Sequence, residues 1–186
     1  DFSKKRLEQY SRMLQTIDFV PKRLKARIHG FYCKMLRKVD AEDRLLKQII
    51  FCKELALRGI GMHHGGMLPV LKEITQVLFE RGYLKLLFAT ETLAMGIDAP
   101  CKTTVFASMR KSDGKEFRTL NRAEFIQISG RAGRRGKDIK GNVIITMWGN
   151  HDPVNVPELL MKKVENLKSH FELKDQIILG LLRRSG

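Results

Sequence analysis

GIGMHHGGMLPVLKEITQVLFERGYLKLLFATET, residues 59 to 92, is the stretch on which the fold turns. Gly59 to His63 reads as a short strand that ends at His64-Gly65-Gly66. Pro69 suits the first turn of a helix, where its missing N–H has no partner to lose. That helix runs to Glu80 and stops at Arg81-Gly82. Leu84 to Ala89 is an apolar strand, expected at the centre of a sheet, and Thr90-Glu91-Thr92 closes it and opens a short helix. A strand, a crossover helix and a second strand imply parallel pairing and the α/β class.

The same alternation extends in both directions. Upstream, Leu7, Tyr10, Met13, Leu14 and Ile17 recur at helical spacing over Lys4 to Ile17. Phe19-Val20-Pro21 interrupts this pattern, a very basic helix follows from Lys22 to Lys38, and Asp40 is placed to cap a helix over Ala41 to Leu57. Downstream, Lys102 to Ser108 is β-prone. Ser112-Asp113-Gly114-Lys115 marks the turn of a hairpin outside the sheet. Arg122 to about Arg135 reads as helix and Asn142 to Met147 as the last strand. Beyond a linker at Gly149 to Pro153, two helices (Pro157 to Leu167, Glu172 to Arg184) have no strand between them. The expected division is therefore 1–150 for the α/β domain and 151–186 for a linker and helices of a different packing unit.

The chain has 186 residues, 43% of them hydrophobic, enough for one domain with a real core. Its 35 Lys and Arg against 20 Asp and Glu leave a net charge of +15, which favours nucleic acid or another polyanion as partner. No run of about 18 apolar residues suggests a membrane span. Cys33, Cys52 and Cys101 are odd in number, lack metal-ligand spacing and read as thiols in a reducing compartment. The chain starts with Asp1, in what reads as mid-element, and is expected to be cut from a larger protein.

The chemistry gathers in three places. If Gln127 to Arg135 is helical, Gln127, Arg131 and Arg134 fall at i, i+4 and i+7 and share a face, with Gly130, Gly133 and Gly136 away from it. An amide and two guanidiniums on one stripe suit phosphate, where a solvated basic turn is the plainer alternative. Thr90-Glu91-Thr92 and the following Gly96-Ile97-Asp98 stand at the carboxyl end of a strand, the edge at which α/β sheets bind ligands; a simple helix cap is the plainer reading. His63-His64 ends another strand, but adjacent histidines diverge there, so no metal site is expected; a nucleic-acid backbone contact or loop structure remains. The chain has no G-x-x-x-x-G-K-[ST] loop and no Asp-Glu-x-His run. It cannot assemble a complete nucleotide-hydrolysis site, but it can supply arginines to one built elsewhere.

Three strings in this order, GIGMHHGGMLP, LLFATETLAMGIDAP and QISGRAGRRGKD, resemble the fourth, fifth and sixth motif regions of superkiller-type DExH RNA helicases of superfamily 2. Phe2-Ser3-Lys4-Lys5 resembles the strand-to-helix turn that opens the second RecA-like domain of that family. Ile17-Asp18-Phe19 and the run from Arg110 through Gly114 to Arg118 resemble the group of nuclear exosome helicases of the TRAMP polyadenylation complex. Leu167 to Arg183 resembles the segment leading into the family's winged-helix domain. The resemblance spans nearly the whole chain.

It implies a RecA-like three-layer α/β fold with a mostly parallel central sheet flanked by helices, and C-terminal helices leading toward a winged-helix domain. It implies an ATP-dependent 3′-to-5′ RNA helicase in nuclear, exosome-linked RNA processing and decay, with RNA and with exosome and polyadenylation-complex adaptors as partners. ATP with Mg2+ would be held mainly by the first RecA-like domain in cis. By position, Gln127, Arg131 and Arg134 would face that ATP, with Arg134 as arginine finger; Gly96 and Asp98 would line the nucleotide cleft. Thr90, Glu91 and Thr92, together with His64 and Gly65, would lie along the RNA backbone. Asp98 stands where relatives often have Asn, which keeps a polar ribose contact. A DNA-repair or spliceosomal relative, or a non-catalytic RNA-binding module built on the basic helix, are the alternatives. Gly133-Arg134-Arg135-Gly136 favours the RNA group over the former.

Overall fold

The computed structural model describes residues 3–91, 101–112, 116–134, 136–146 and 156–161. Helix α1 (Lys4–Met13) starts at Ser3, whose hydroxyl accepts the Arg6 N–H, and buries Leu7 and Ser11. The helical pattern read to Ile17 ends four residues early, because Gln15 and Ile17 bond i→i−3 in turns and the Phe19 N–H pairs with the Arg58 carbonyl instead. Helix α2 (Lys22–Leu36) follows Pro21 and turns Ile28, Tyr32 and Leu36 inward, a stripe at i, i+4 and i+8.

The expected Asp40-capped helix over 41–57 is not formed. A single 3-10 turn (Asp43–Leu45) comes first, and α3 (Lys47–Leu57) starts after an extended Leu46 with no side-chain cap. The Arg44 guanidinium reaches back to the carbonyls of Val39 and Arg37, which the end of α2 leaves open.

Strand β1 (Ile60–His63), helix α4 (Pro69–Glu80) and strand β2 (Leu86–Ala89) form the expected parallel βαβ unit, with Ile60 opposite Leu86 and His63 opposite Ala89. Pro69 opens α4; Leu71, Ile74, Thr75 and Leu78 form its buried stripe. Gly82, at φ +69°, closes it in a Schellman arrangement: its N–H reaches the Phe79 carbonyl and the Tyr83 N–H the Leu78 carbonyl. Gly61 lets α4 approach the strand, since a Cβ there would lie 2.7 Å from Leu84 and 3.1 Å from Thr75.

A second βαβ unit follows. Strand β3 (Thr103–Phe106) pairs in parallel with β6 (Asn142–Ile145), Thr103 opposite Asn142. Between them lie the expected hairpin, β4 (Arg110–Ser112) against β5 (Phe117–Thr119), and helix α5 (Arg122–Ser129). Helix α6 (Val156–Met161) buries Leu159.

The α/β class and the parallel pairing are as expected for a RecA-like helicase domain. Among the described residues, however, β2 pairs only with β1, and the two parallel pairs are not hydrogen-bonded to each other. Two apolar clusters result. The larger joins α2, α3, α4 and β1; the smaller joins Phe106, Met109, Leu120, Phe125 and Leu159, with Phe106 and Phe125 stacked at 5.1 Å. The helix read over 172–184, and with it the approach to a winged-helix domain, lies outside the described residues.

Candidate nucleotide and nucleic-acid interface

The carboxyl ends of β1 and β2 lie side by side, and the Thr90 N–H extends the ladder to the His63 carbonyl. The His63–Gly66 loop and the Thr90-Glu91 segment are thereby neighbours. Thr92, Gly96 and Asp98 fall outside the described residues.

The two histidines do not point outward. His63 and His64 are buried, 6% and 2% exposed. His64 Nδ1 accepts the Gly66 N–H at 3.1 Å, which leaves the proton on Nε2, 3.8 Å from Glu8 Oε1. Burial depresses the pKa of both imidazoles and so favours the neutral rings, aided at His63 by the Lys72 charge and opposed at His64 by Glu8. The loop therefore offers solvent the backbone of Gly65 and Gly66, with the His64 side chain serving loop structure. Gln48 is a supporting residue that sequence reading missed. Its amide donates to the Gly66 carbonyl and accepts the Leu68 N–H at the head of α4. Nothing local in the sequence marks it, because the contact spans 20 residues.

Glu91 leads into a chain of charges. Lys111, on the hairpin, donates to Glu91 at 3.0 Å and to Glu124 at 2.9 Å, and Arg118 holds Glu124 with two parallel N–H bonds of 2.7 and 2.9 Å. Glu124 is also the acid of a capping box: it accepts the Asn121 N–H while the Asn121 side chain accepts the Glu124 N–H. Burial alone would raise the Glu124 pKa, but the bonds from Arg118, Lys111 and the Asn121 amide prevail and hold it at about 2. Glu91, the hairpin and the start of α5 are thus one ion network.

The arginine segment departs from the expected helix. Helix α5 ends at Ser129 with Gly130 as cap, so Gln127 is helical while Arg131 and Arg134 lie in the loop beyond. The reason is a backbone crossing. Cys101 exchanges main-chain bonds with this loop, donating to the Arg131 carbonyl at 2.9 Å and accepting the Gly133 N–H at 2.7 Å. Gly133 sits at φ +94°, where an added Cβ would meet Gly141 at 3.1 Å, and a Cβ on Gly141 would collide with the Ala132 carbonyl. Gly141 is the second residue that sequence reading missed.

Arg134 ends up exposed with its guanidinium folded onto Asp138: Nε and a terminal nitrogen donate to the two carboxylate oxygens at 2.7 and 2.8 Å, and its own N–H donates to the same group. The Arg134 hydrogen bonds hold the Asp138 carboxyl well below the usual carboxylate range. Gln127 is exposed and Arg131 half-buried. Gln127 is thus in the last turn of α5 and Arg131 and Arg134 in the loop after it, so the three do not share one helical stripe.

Residues 9–136 match the model of the helicase conserved C-terminal domain. The chain belongs to that family. The helicase domain is 44% identical to antiviral helicase SKI2 of Saccharomyces cerevisiae over 98% of its own length and 14% of that protein's. It is also 44% identical to human superkiller complex protein 2, again over 98% of its length and 15% of that protein's. To human exosome RNA helicase MTR4 it is 42% identical, over 98% of its length and 18% of that protein's. The superkiller-type resemblance read from the three motif strings is borne out. The domain spans less than a fifth of each of these relatives, and its near-equal identity to both does not separate them.

Proposed function

We propose that residues 1–150 form the second RecA-like domain of an ATP-dependent 3′-to-5′ RNA helicase, with residues 151–186 leading toward a winged-helix domain. The observation that carries this reading is the arginine loop beyond α5. Arg134 already binds an oxyanion pair through two parallel N–H bonds, on an exposed loop aimed by a backbone crossing that only glycines permit. The same donor fork suits a phosphate. When bound to the first RecA-like domain in cis, ATP with Mg2+ supplies the phosphoryl group. On domain closure Arg134 exchanges Asp138 for the γ-phosphate, Arg131 adds a second cation and Gln127 a neutral donor. These groups stabilise negative charge as it develops on the transferred phosphoryl. Gly96 and Asp98 line the nucleotide side of the cleft. Thr90, Glu91, Thr92 and the Gly65 backbone lie along the RNA, with His64 shaping the loop.

In the full-length protein Arg134→Ala is expected to lower ATPase turnover by roughly 10³-fold, the effect typical of arginine fingers. Turnover near that of the unmodified protein would sink the assignment. The likeness to exosome RNA helicase MTR4 supports the further proposal of a role in nuclear, exosome-linked RNA processing with polyadenylation-complex adaptors. That role is tested by fractionating cells and by co-purification of exosome subunits with the full-length protein. Strand displacement on RNA overhangs should exceed that on DNA overhangs; the reverse would favour a DNA-repair relative.

A further inference from the structure

Between Lys22 and Val39 stand seven Lys or Arg and no acid. Folding sorts them. The apolar side chains of α2 go inward, and Lys25, on the inward-leaning side, is neutralised by Asp18 at 2.7 Å. Arg23, Arg27 and Lys34 stay exposed, spaced so that they line the opposite face, and Arg37 and Lys38, exposed in the turn that follows the helix, add positive charge at its end. None of these has an ion-pair partner among the described residues, although Asp40, Glu42 and Asp43 follow directly in sequence. Arg23 to Lys34 covers about 16 Å of helix axis.

A second observation says what this face is for. Gly30 lies in the middle of the stripe, exposed, with helical neighbours on both sides. A Cβ built there would meet nothing within 4 Å, and its φ is not in the left-handed region. Neither packing nor backbone geometry demands glycine, which weakens a helix interior. A bare backbone flanked by Arg27 and Lys34 lets an extended anionic chain lie close against the helix between two cations.

We infer that the exposed face of α2 is a docking surface for the phosphate backbone of an RNA strand. It is separate from the arginine loop, which belongs with the other apolar cluster, and it does not depend on ATP. Charge complementarity selects the occupant. An anionic membrane would need apolar side chains beside the cations, whereas Ile28, Tyr32 and Leu36 are consumed by the core.

The inference goes beyond the proposed motif surface and stands or falls separately from it. The test is fluorescence anisotropy of a labelled single-stranded RNA with the full-length protein, without ATP, across a salt series. Replacing Arg23, Arg27, Lys34 and Lys38 by Gln should weaken binding roughly tenfold or more near 0.15 M salt. It should also make log K against log salt shallower by about 2.8, at about 0.7 per lost contact. Gly30→Glu, a change toward a better helix former, should weaken binding in the same direction while the melting temperature holds or rises. An unchanged salt slope in the quadruple variant, or unchanged affinity in Gly30→Glu, would overturn the inference. So would tighter binding to phosphatidylserine vesicles than to RNA. Loss of ATPase in Arg134→Ala alongside unaltered α2 variants would leave the motif reading standing and remove only this one.

Discussion

Gly133 carries two constraints at once, a left-handed backbone and a backbone neighbour at 3.1 Å. Gly133→Ala is therefore expected to destabilise the domain by about 1–3 kcal/mol, read from the urea midpoint; a midpoint within error of the unmodified protein would contradict the crossing. The histidine pair sets a pH response at the same scale. Its imidazoles titrate below the ordinary 6.5 because they are buried. Below that pH the unfolded chain binds more protons than the folded one, so stability is complete above about 6.5 and declines as pH falls. The melting temperature should drop as pH falls below about 6.5. His64→Asn, whose amide oxygen can still accept the Gly66 N–H, should flatten the decline; an equally steep decline in that variant would exclude His64 as its source.

Elements are where local signals and long-range contacts part company. The Asn121–Glu124 box at the head of α5 follows from a four-residue pattern. Its tether to the hairpin and to Glu91 does not, because Lys111 comes from 13 residues upstream and Glu91 from 20 residues before that. The network has an acid limit. Glu124 is depressed from its ordinary 4.5 to about 2, so its contribution is whole above 4.5 and is lost as pH falls through 2. Glu124→Gln should lower stability at neutral pH and flatten the stability curve across that window in acid titration monitored by circular dichroism. An unchanged curve would mean that the ion network contributes nothing measurable. The expected helix over 41–57 belongs here too: Asp40 has the right chemistry for a cap, but a 3-10 turn follows it and the chain is extended at Leu46 before α3 starts.

Across the whole molecule, the two apolar clusters divide the work. The larger one braces the βαβ unit that presents the Gly65 loop and Thr90, and carries the basic face of α2; the smaller one carries the arginine loop. Ile74 is fully buried at the centre of the larger cluster. Ile74→Ala is expected to cost about 2–5 kcal/mol by calorimetry or denaturant, the range for deleting a packed aliphatic side chain. A loss under about 1 kcal/mol would mean that α4 is not packed as described. The order of strands and helices, the parallel pairing, the hairpin and the motif segments were all legible in the sequence. They rest on hydrophobic period and on Gly and Pro punctuation, which act within a few residues of chain. Whether the arginines share a helical face, whether His64 looks out or in, and which acid holds Glu91's cation were decided only by tertiary structure. Those outcomes depend on backbones that cross at Cys101, Gly133 and Gly141 and on a Gln48 amide and a Lys111 ammonium arriving from distant elements. No local pattern encodes such meetings.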